Sequence, residues 1–406
     1  MTENAQQKHT PIVFQGKTSE YFGIWIVNLL LSIVTLGIYS AWAKVRRKKY
    51  FYNNTLIENV GFDYHAKPIS ILKGRVIALV FFAGYGMSAN MHPFLPAVFL
   101  LIFFMALPWL VVRGSIFNAR NSSHRGLRFD FAGKIGQAVK VFIGLPLLLV
   151  PTLGLIMPYN AHQKNQFLMD GHKFGLSQFN MHAKVKSFYR IYLIGGIVPV
   201  LAVIGILAAI AIPAYKGYLD KANAQTGKQS GLYLPEERVK LSLVGFAPII
   251  QGQTLLAKNE EAIEIESSAP IEQSEKTDET TSVMMVAGTV LGVALLYALL
   301  FASIAYMQAR IGNLVLNNTT LDKLSFKSTL RARDFIWLYF SNIIAIMLTF
   351  GLATPWAQIR MAKYRASKLQ IVGDVDFDQF VGDKKAEVKA TGEEIAEMFD
   401  VDLSFG

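Results

Sequence analysis

The 406-residue chain contains no cysteine. Disulfides, thiolate metal sites and cysteine nucleophiles are thereby excluded. Charge is scarce as well. Asp, Glu, Lys and Arg make up 17% of the chain against 52% hydrophobic residues, where a soluble globule carries roughly a quarter charged. With a mean hydropathy of +0.33, this deficit predicts a bilayer protein. Acidic residues are the scarcer sign: 29 Asp and Glu face 40 Lys and Arg, a formal charge of +11. The basic residues follow apolar runs directly, where headgroups and the positive-inside bias favour them. The charge balance therefore predicts contact with a lipid bilayer and not with nucleic acid. No Asp or Glu falls inside any predicted span, which argues against a proton-coupled carrier. Residues 1–20 are polar and show no pattern of a cleavable signal peptide.

What the chain does have is a pattern that recurs five times, each time after a hydrophobic run. Taking Trp42, Trp109, Tyr159, Tyr306 and Trp356 as position zero, the residue four later is Arg46, Arg113, Gln163, Arg310 or Arg360. Eight later come Tyr50, Phe117, Phe167, Leu314 and Tyr364. Asn54, Asn121 and Asn318 stand at plus twelve, and Phe62, Phe129, Phe179 and Phe326 at plus twenty. Such registers define an internal repeat. Positions zero, four, eight and twelve share one helical face. The alternating stretches 61–64, 127–131 and 178–181 then predict short strands with one buried face, gathered at the membrane surface. Residues 14–17 look like the tail of a sixth, truncated unit.

Apolar length predicts seven spans, at 22–43, 75–91, 94–112, 139–159, 189–215, 283–307 and 335–356. Gly195, Gly196 and Pro199 are expected to kink or break the fifth. The fold class expected is therefore an all-α polytopic membrane protein of about seven transmembrane helices, with short interfacial β-strands. The predicted organisation is a polar segment 1–21, a first repeat pair 22–138, a second in 139–215 and 283–334, and a last span with its basic flank, 335–370. A tail of 371–406 follows, in which 387–406 suit an acidic amphipathic helix. Residues 216–282 are an acidic extramembrane insert with seven Lys/Arg against eleven Asp/Glu. Strand-like patches at 239–244 and 247–250 precede a Glu/Ser-rich linker within it.

Units one, three and five follow runs that end in Thr35-Leu36-Gly37, Thr152-Leu153-Gly154 and Thr349-Phe350-Gly351. If these runs cross the membrane, the second half of the protein is inverted relative to the first, an arrangement familiar from transporters. Units three and four then lie outside and the others in the cytoplasm. If the runs are re-entrant, all five units share one face.

The runs 26–31 and 35–39, the stretch Ala41 to Tyr52, and Pro108-Trp109, Phe117-Asn118, Gly351-Leu352 and Pro355 to Arg360 resemble the YjgN family of bacterial inner-membrane proteins. The likeness covers almost the whole chain outside 216–282. It implies a multi-pass inner-membrane location and carries no assigned activity and no functional residue. Locally, 203–218 resembles the N-terminal helix of type IV pilins. Registered on Pro213, Ile191 falls where pilins need Gly and Gly196 where they need Glu, so prepilin processing is not expected.

Catalytic motifs are lacking, so no enzyme, cofactor or metal site is expected. Gly16-Lys17-Thr18 has Pro11 where a phosphate loop requires its first Gly. The seven His lack metal-binding spacing, although His65 and His182 fall at matching strand positions. The candidate contacts are Arg46, Arg113, Arg310 and Arg360, as headgroup anchors or, if they converge, an anion site. Asn28 and Asn342, each fourteen before a Trp, are polar groups inside spans and need partners. The expected function is a non-enzymatic inner-membrane protein that moves or binds a small solute or lipid. The alternative is a structural or scaffolding envelope protein that meets a protein partner through 216–282.

Overall fold

The computed structural model describes residues 8–230, 274–373 and 377–390. Two compact units are present, residues 200–300 and the remainder of the chain. The larger unit is built on a closed barrel of ten antiparallel strands in the order β1-β10-β9-β8-β7-β6-β5-β4-β3-β2. The elements run β1 (His9–Phe14), α1 (Thr18–Val34), α2 (Ser40–Asn53), β2 (Thr55–Ile57), β3 (Val60–Tyr64), α3 (Pro68–Met91) and α4 (Leu95–Arg120). Next come β4 (Ser122–His124), β5 (Leu127–Phe131), α5 (Ile135–Val139), a π-helical turn (Lys140–Gly144), α6 (Leu145–Leu147), α7 (Met157–Gly171), β6 (His172–Phe174) and β7 (Ser177–Met181). The remaining described elements are α8 (Val185–Ser230), α9 (Ser274–Asn317), β8 (Thr319–Leu321), β9 (Leu324–Ser328), α10 (Ala332–Leu348), α11 (Thr354–Ser367), β10 (Leu369–Val372) and α12 (Phe377–Ala390).

The expected all-α class with about seven transmembrane helices does not hold. The short strands, expected to gather into a small sheet or hairpins, join into one closed sheet. Four of the hairpins pair edge to edge, and β1 with β10 closes the ring. Closure removes every exposed sheet edge. It also places residues 14–17: Phe14 ends β1 and 15–17 lead into α1, and β1 supplies the partner that β10 lacks. Among the described residues three helices are long and apolar enough to cross a bilayer, Pro68–Met91, Leu95–Arg120 and Val290–Asn317.

Two-residue turns set the hairpins. Glu58 and Asn59 both take positive φ, as do Arg125 and Gly126. That geometry matches the twist of paired strands. The helices enter the strands through a repeated side-chain device. Asn54, Asn121 and Asn318 each donate from Nδ2 to the carbonyl four residues back, at 2.8, 2.7 and 2.7 Å. The neighbouring Thr55, Ser122 and Thr319 hydroxyls do the same at 2.8, 2.7 and 2.7 Å. Successive orphan carbonyls are thus satisfied where the helix stops.

The Thr-x-Gly runs explain the lost spans. Leu36, Leu153 and Phe350 adopt φ near +50°, and the following Gly37, Gly154 and Gly351 take φ of +90°, +81° and +92°. Each Gly N–H bonds a carbonyl five residues back, at 2.7 to 2.8 Å, the signature of a left-handed helix stop. Thr35 and Thr349 accept the N–H of Tyr39 and Ala353 at 2.9 Å, tying the next helix to the turn. The chain therefore turns back: 22–43 divides between α1 and α2, 139–159 between the π-helical region and α7, and 335–356 between α10 and α11. The turn tips Leu36, Leu153 and Phe350 are 94%, 93% and 98% exposed. Bare apolar tips of this kind suit a lipid environment and not water. Since strands from all five units share one barrel, the units lie on one side of any bilayer, and the inverted arrangement is excluded.

Residues 189–215 lie within α8, which continues without interruption through Gly195, Gly196 and Pro199. Proline removes the N–H that would bond the Gly195 carbonyl. The buried Ser303 hydroxyl on α9 donates to that carbonyl instead. The pilin-like run 203–218 lies in α8, and the described part of the second unit, residues 200–300, is the continuation of α8 and the first part of α9. The strand patches at 239–250 and most of the predicted tail helix lie outside the described residues.

Candidate functional site

The strands are short and one face of each turns inward. Ile12, Phe14, Ile57, Leu127, Phe174, Leu321, Leu324 and Ile371 form a single buried cluster, with Phe62, Phe129, Phe179 and Phe326 packed against it. The plus-twenty phenylalanines thus line the barrel. Phe62 stacks on Phe129 at 6.2 Å and Phe179 on Phe326 at 5.9 Å between ring centres. One end of this core is covered by α12, whose Phe380 and Val381 join the cluster. Ion pairs hold that lid: Arg125 to Asp378, and Lys384 to Asp322 at 3.1 Å.

Between this core and the helix ends lies a cavity of about 410 Å³, lined by Phe51, Tyr52, Thr55, Phe62, Asn118, Ala119, Ser122, Phe129 and His172. Its wall is mainly apolar and aromatic, with a few polar groups on one side. Ser122 is held by the Asn118 carbonyl at 2.7 Å. His172 Nδ1 donates to the Leu168 carbonyl at 2.6 Å. Lys48 donates to Asn118 Oδ1 at 2.5 Å and lies 4.6 Å from the Tyr64 ring centre. Burial, and then Lys44 and Arg47, push the Lys48 amine below its usual range. Burial raises the Tyr64 phenol to about 12.

Beside the cavity, His124 stacks against Phe62 at 4.6 Å. It is 3% exposed, and its ring nitrogens make no side-chain hydrogen bond; the Gly61 backbone is its one polar contact. Burial, with Arg125 adjacent, lowers its pKa to about 4. The imidazole is therefore neutral at physiological pH.

The residues singled out in the sequence lie elsewhere. Arg113, Arg310 and Arg360 are each held by a ring on their own helix. Each lies over the aromatic ring four residues before it, Trp109 at 5.8 Å, Tyr306 at 5.6 Å and Trp356 at 5.0 Å. Arg46 is exposed on α2. Arg360 also donates to Ser341 Oγ at 2.6 Å and Asn342 Oδ1 at 3.2 Å. Asn28, buried to the same degree as Asn342, has no partner for its Oδ1. His65 bonds Ser123 at 2.7 Å and His182 bonds Thr320 at 3.3 Å, and no metal-holding cluster occurs among the described residues. Tyr52, Asn118, His124 and His172 carry no sequence signature of a site. Only their positions next to the strand starts, where side chains turn inward, point to them.

Residues 9–398 match the family described as "Bacterial protein of unknown function (DUF898)". The chain belongs to this family. It is similar to Inner membrane protein YjgN of Salmonella typhimurium, 25% identical over 400 residues that cover 93% of this chain and 92% of that one. Inner membrane protein YjgN of Escherichia coli O157:H7 is 24% identical over 390 residues, covering 90% and 89%. The Escherichia coli K12 protein of that name is 23% identical over 404 residues, with the same coverage. The chain is a bacterial inner-membrane protein, and the likeness to the YjgN family read from its motifs holds along most of its length. No solved structure matches it.

Proposed function

We propose that this DUF898 protein is a multi-pass, non-enzymatic membrane protein assembled from a repeated helix-and-hairpin unit. Its role is to bind a lipid-like, largely apolar solute in the mouth of its barrel. The observation that carries this reading is the cavity of about 410 Å³ beside Phe62 and Phe129. A concave apolar wall with a few placed polar groups is the usual form of a small-molecule site. Asn118, Ser122 and His172 would orient the polar end, while the phenylalanines take the chain. No observation among the described residues favours scaffolding through 216–282.

The test uses the full chain purified in detergent and incubated with tritiated palmitate. Asn118 is exposed at the cavity wall, so Asn118→Phe fills the mouth without burying new polarity. The wild type should retain palmitate after gel filtration, and the variant should retain at least about ten-fold less. Equal retention by both, or none by the wild type, would contradict the reading.

A further inference from the structure

A second cavity, of about 270 Å³, lies between α1, α2 and α3. Among the residues that line it are Asn28, Ser32, Ser40, Lys44, Arg47 and Arg75, and no carboxylate is among them. None of the three cations has an ion-pair partner among the described residues. Arg75 is aimed by a hydrogen bond to Ser40 Oγ, which the turn after Gly37 positions. Asn28 is 7% exposed, and its Oδ1 is buried without a donor. An unpaired buried acceptor is costly unless something supplies the missing hydrogen.

The last hairpin provides the internal control. Asn342 holds the matching place, and Arg360 donates to it at 3.2 Å. Where the first hairpin has Lys44 and Arg47, two and five residues after the Trp, the last has Gln358 and Met361. The last hairpin thus has a satisfied Asn and no cation at these two matched positions. The first has an unsatisfied Asn among three cations.

We infer that this cleft is a phospholipid headgroup site. It takes a phosphodiester that also carries a hydrogen-bond donor, as phosphatidylethanolamine and phosphatidylglycerol do. Lys44, Arg47 and Arg75 meet the phosphate, because cations next to a bilayer attract it strongly. The headgroup ammonium or hydroxyl donates to Asn28 Oδ1. Phosphatidylcholine has the same phosphate and no such donor, so it fills only half of the site. This inference does not depend on the barrel cavity, which uses different residues.

The full chain is reconstituted in nanodiscs of equal parts phosphatidylethanolamine and phosphatidylcholine, and the lipids that stay bound on release into detergent are measured by native mass spectrometry. The wild type should keep phosphatidylethanolamine over phosphatidylcholine roughly ten-fold. Asn28→Leu should abolish that preference while phosphate binding remains. Lys44→Gln with Arg47→Gln should lose both lipids. Asn118→Phe, which closes the other cavity, should leave the preference intact. Soluble glycerophosphoethanolamine is added as a competitor: displacement shows that the headgroup alone suffices, and persistence shows that the acyl chains are needed as well. In lipid-free detergent, Asn28→Leu should melt no lower than the wild type, because it removes an unpaired acceptor. Equal retention of the two lipids by the wild type, a preference that survives Asn28→Leu, or a loss of melting temperature like that of Asn342→Leu would overturn the inference.

Discussion

The first and last helical hairpins, α1–α2 and α10–α11, share a turn and differ in what they leave open. Both stop on Thr-x-Gly with the same backbone geometry. Tyr50 and Tyr364 clamp the start of α1 and α10 in the same way, accepting the backbone N–H of Lys17 at 2.9 Å and Arg331 at 3.0 Å. Both bury an Asn in the first helix. In the last hairpin Arg360 folds inward to serve that Asn while covering Trp356. In the first, Arg46 stays exposed and the Asn is unserved. Backbone geometry is thus common to the two, and function is separated from scaffold by a few side chains on that backbone.

The sharpest way to break this comparison is to remove the two arginines in turn. Arg360→Leu leaves the Asn342 carbonyl unpaired and should destabilise the protein by about 1–3 kcal/mol. Arg46→Leu should change stability by no more than about 0.5 kcal/mol. Thermal unfolding of both variants in one detergent reads the difference, and equal losses would show that the two hairpins are not distinguished in this way. The turn glycines should behave alike. Gly37→Ala and Gly351→Ala force Cβ into a left-handed backbone, and each should destabilise by roughly 1–2 kcal/mol. Unequal losses at Gly37 and Gly351 would mean that the shared turn geometry is not shared in energy.

A smaller effect at neutral pH separates either hairpin from the barrel. His124 is also buried, with only the Gly61 backbone beside it, but it titrates. Its folded pKa of about 4 lies below the ordinary 6.5. Stability from keeping it neutral is therefore complete above pH 6.5 and is lost as pH falls toward 4. His124→Phe should flatten the melting temperature in that window and leave both hairpin variants' effects unchanged. A wild-type melting temperature that is level from pH 6.5 to 4 would refute the assignment.

Much of this was legible in the residues. The alternation around Phe62, Phe129 and Phe179 marked strands with one buried face, and the matching Asn54, Asn121 and Asn318 marked helix ends. Closure of the barrel was not legible, because pairing between hairpins rests on backbone groups that leave no trace in side-chain pattern. The strand β1, Pro-bearing and isolated at the N-terminus, gave no sign that its partner lay more than 350 residues away in β10. At Gly37, Gly154 and Gly351 the residues left both crossing and re-entry open, since span length favoured crossing and the Thr-x-Gly stops allowed reversal. Asn28 stood out as polar in an apolar run. Lys44 and Arg47 were hidden in a basic flank that the positive-inside bias explains equally well, and Arg75 belongs to no repeated register.

The central claim is that all five units face one side and close one barrel. Lys67 and Lys184 follow the second strand of the first and third hairpins, and both are exposed. The chain has no cysteine, so Lys67→Cys and Lys184→Cys each give a single reporter. Labelling with a membrane-impermeant maleimide, in intact cells and after permeabilisation, decides the matter. The account predicts identical accessibility at the two sites. Labelling of one in intact cells while the other reacts only after permeabilisation would contradict it.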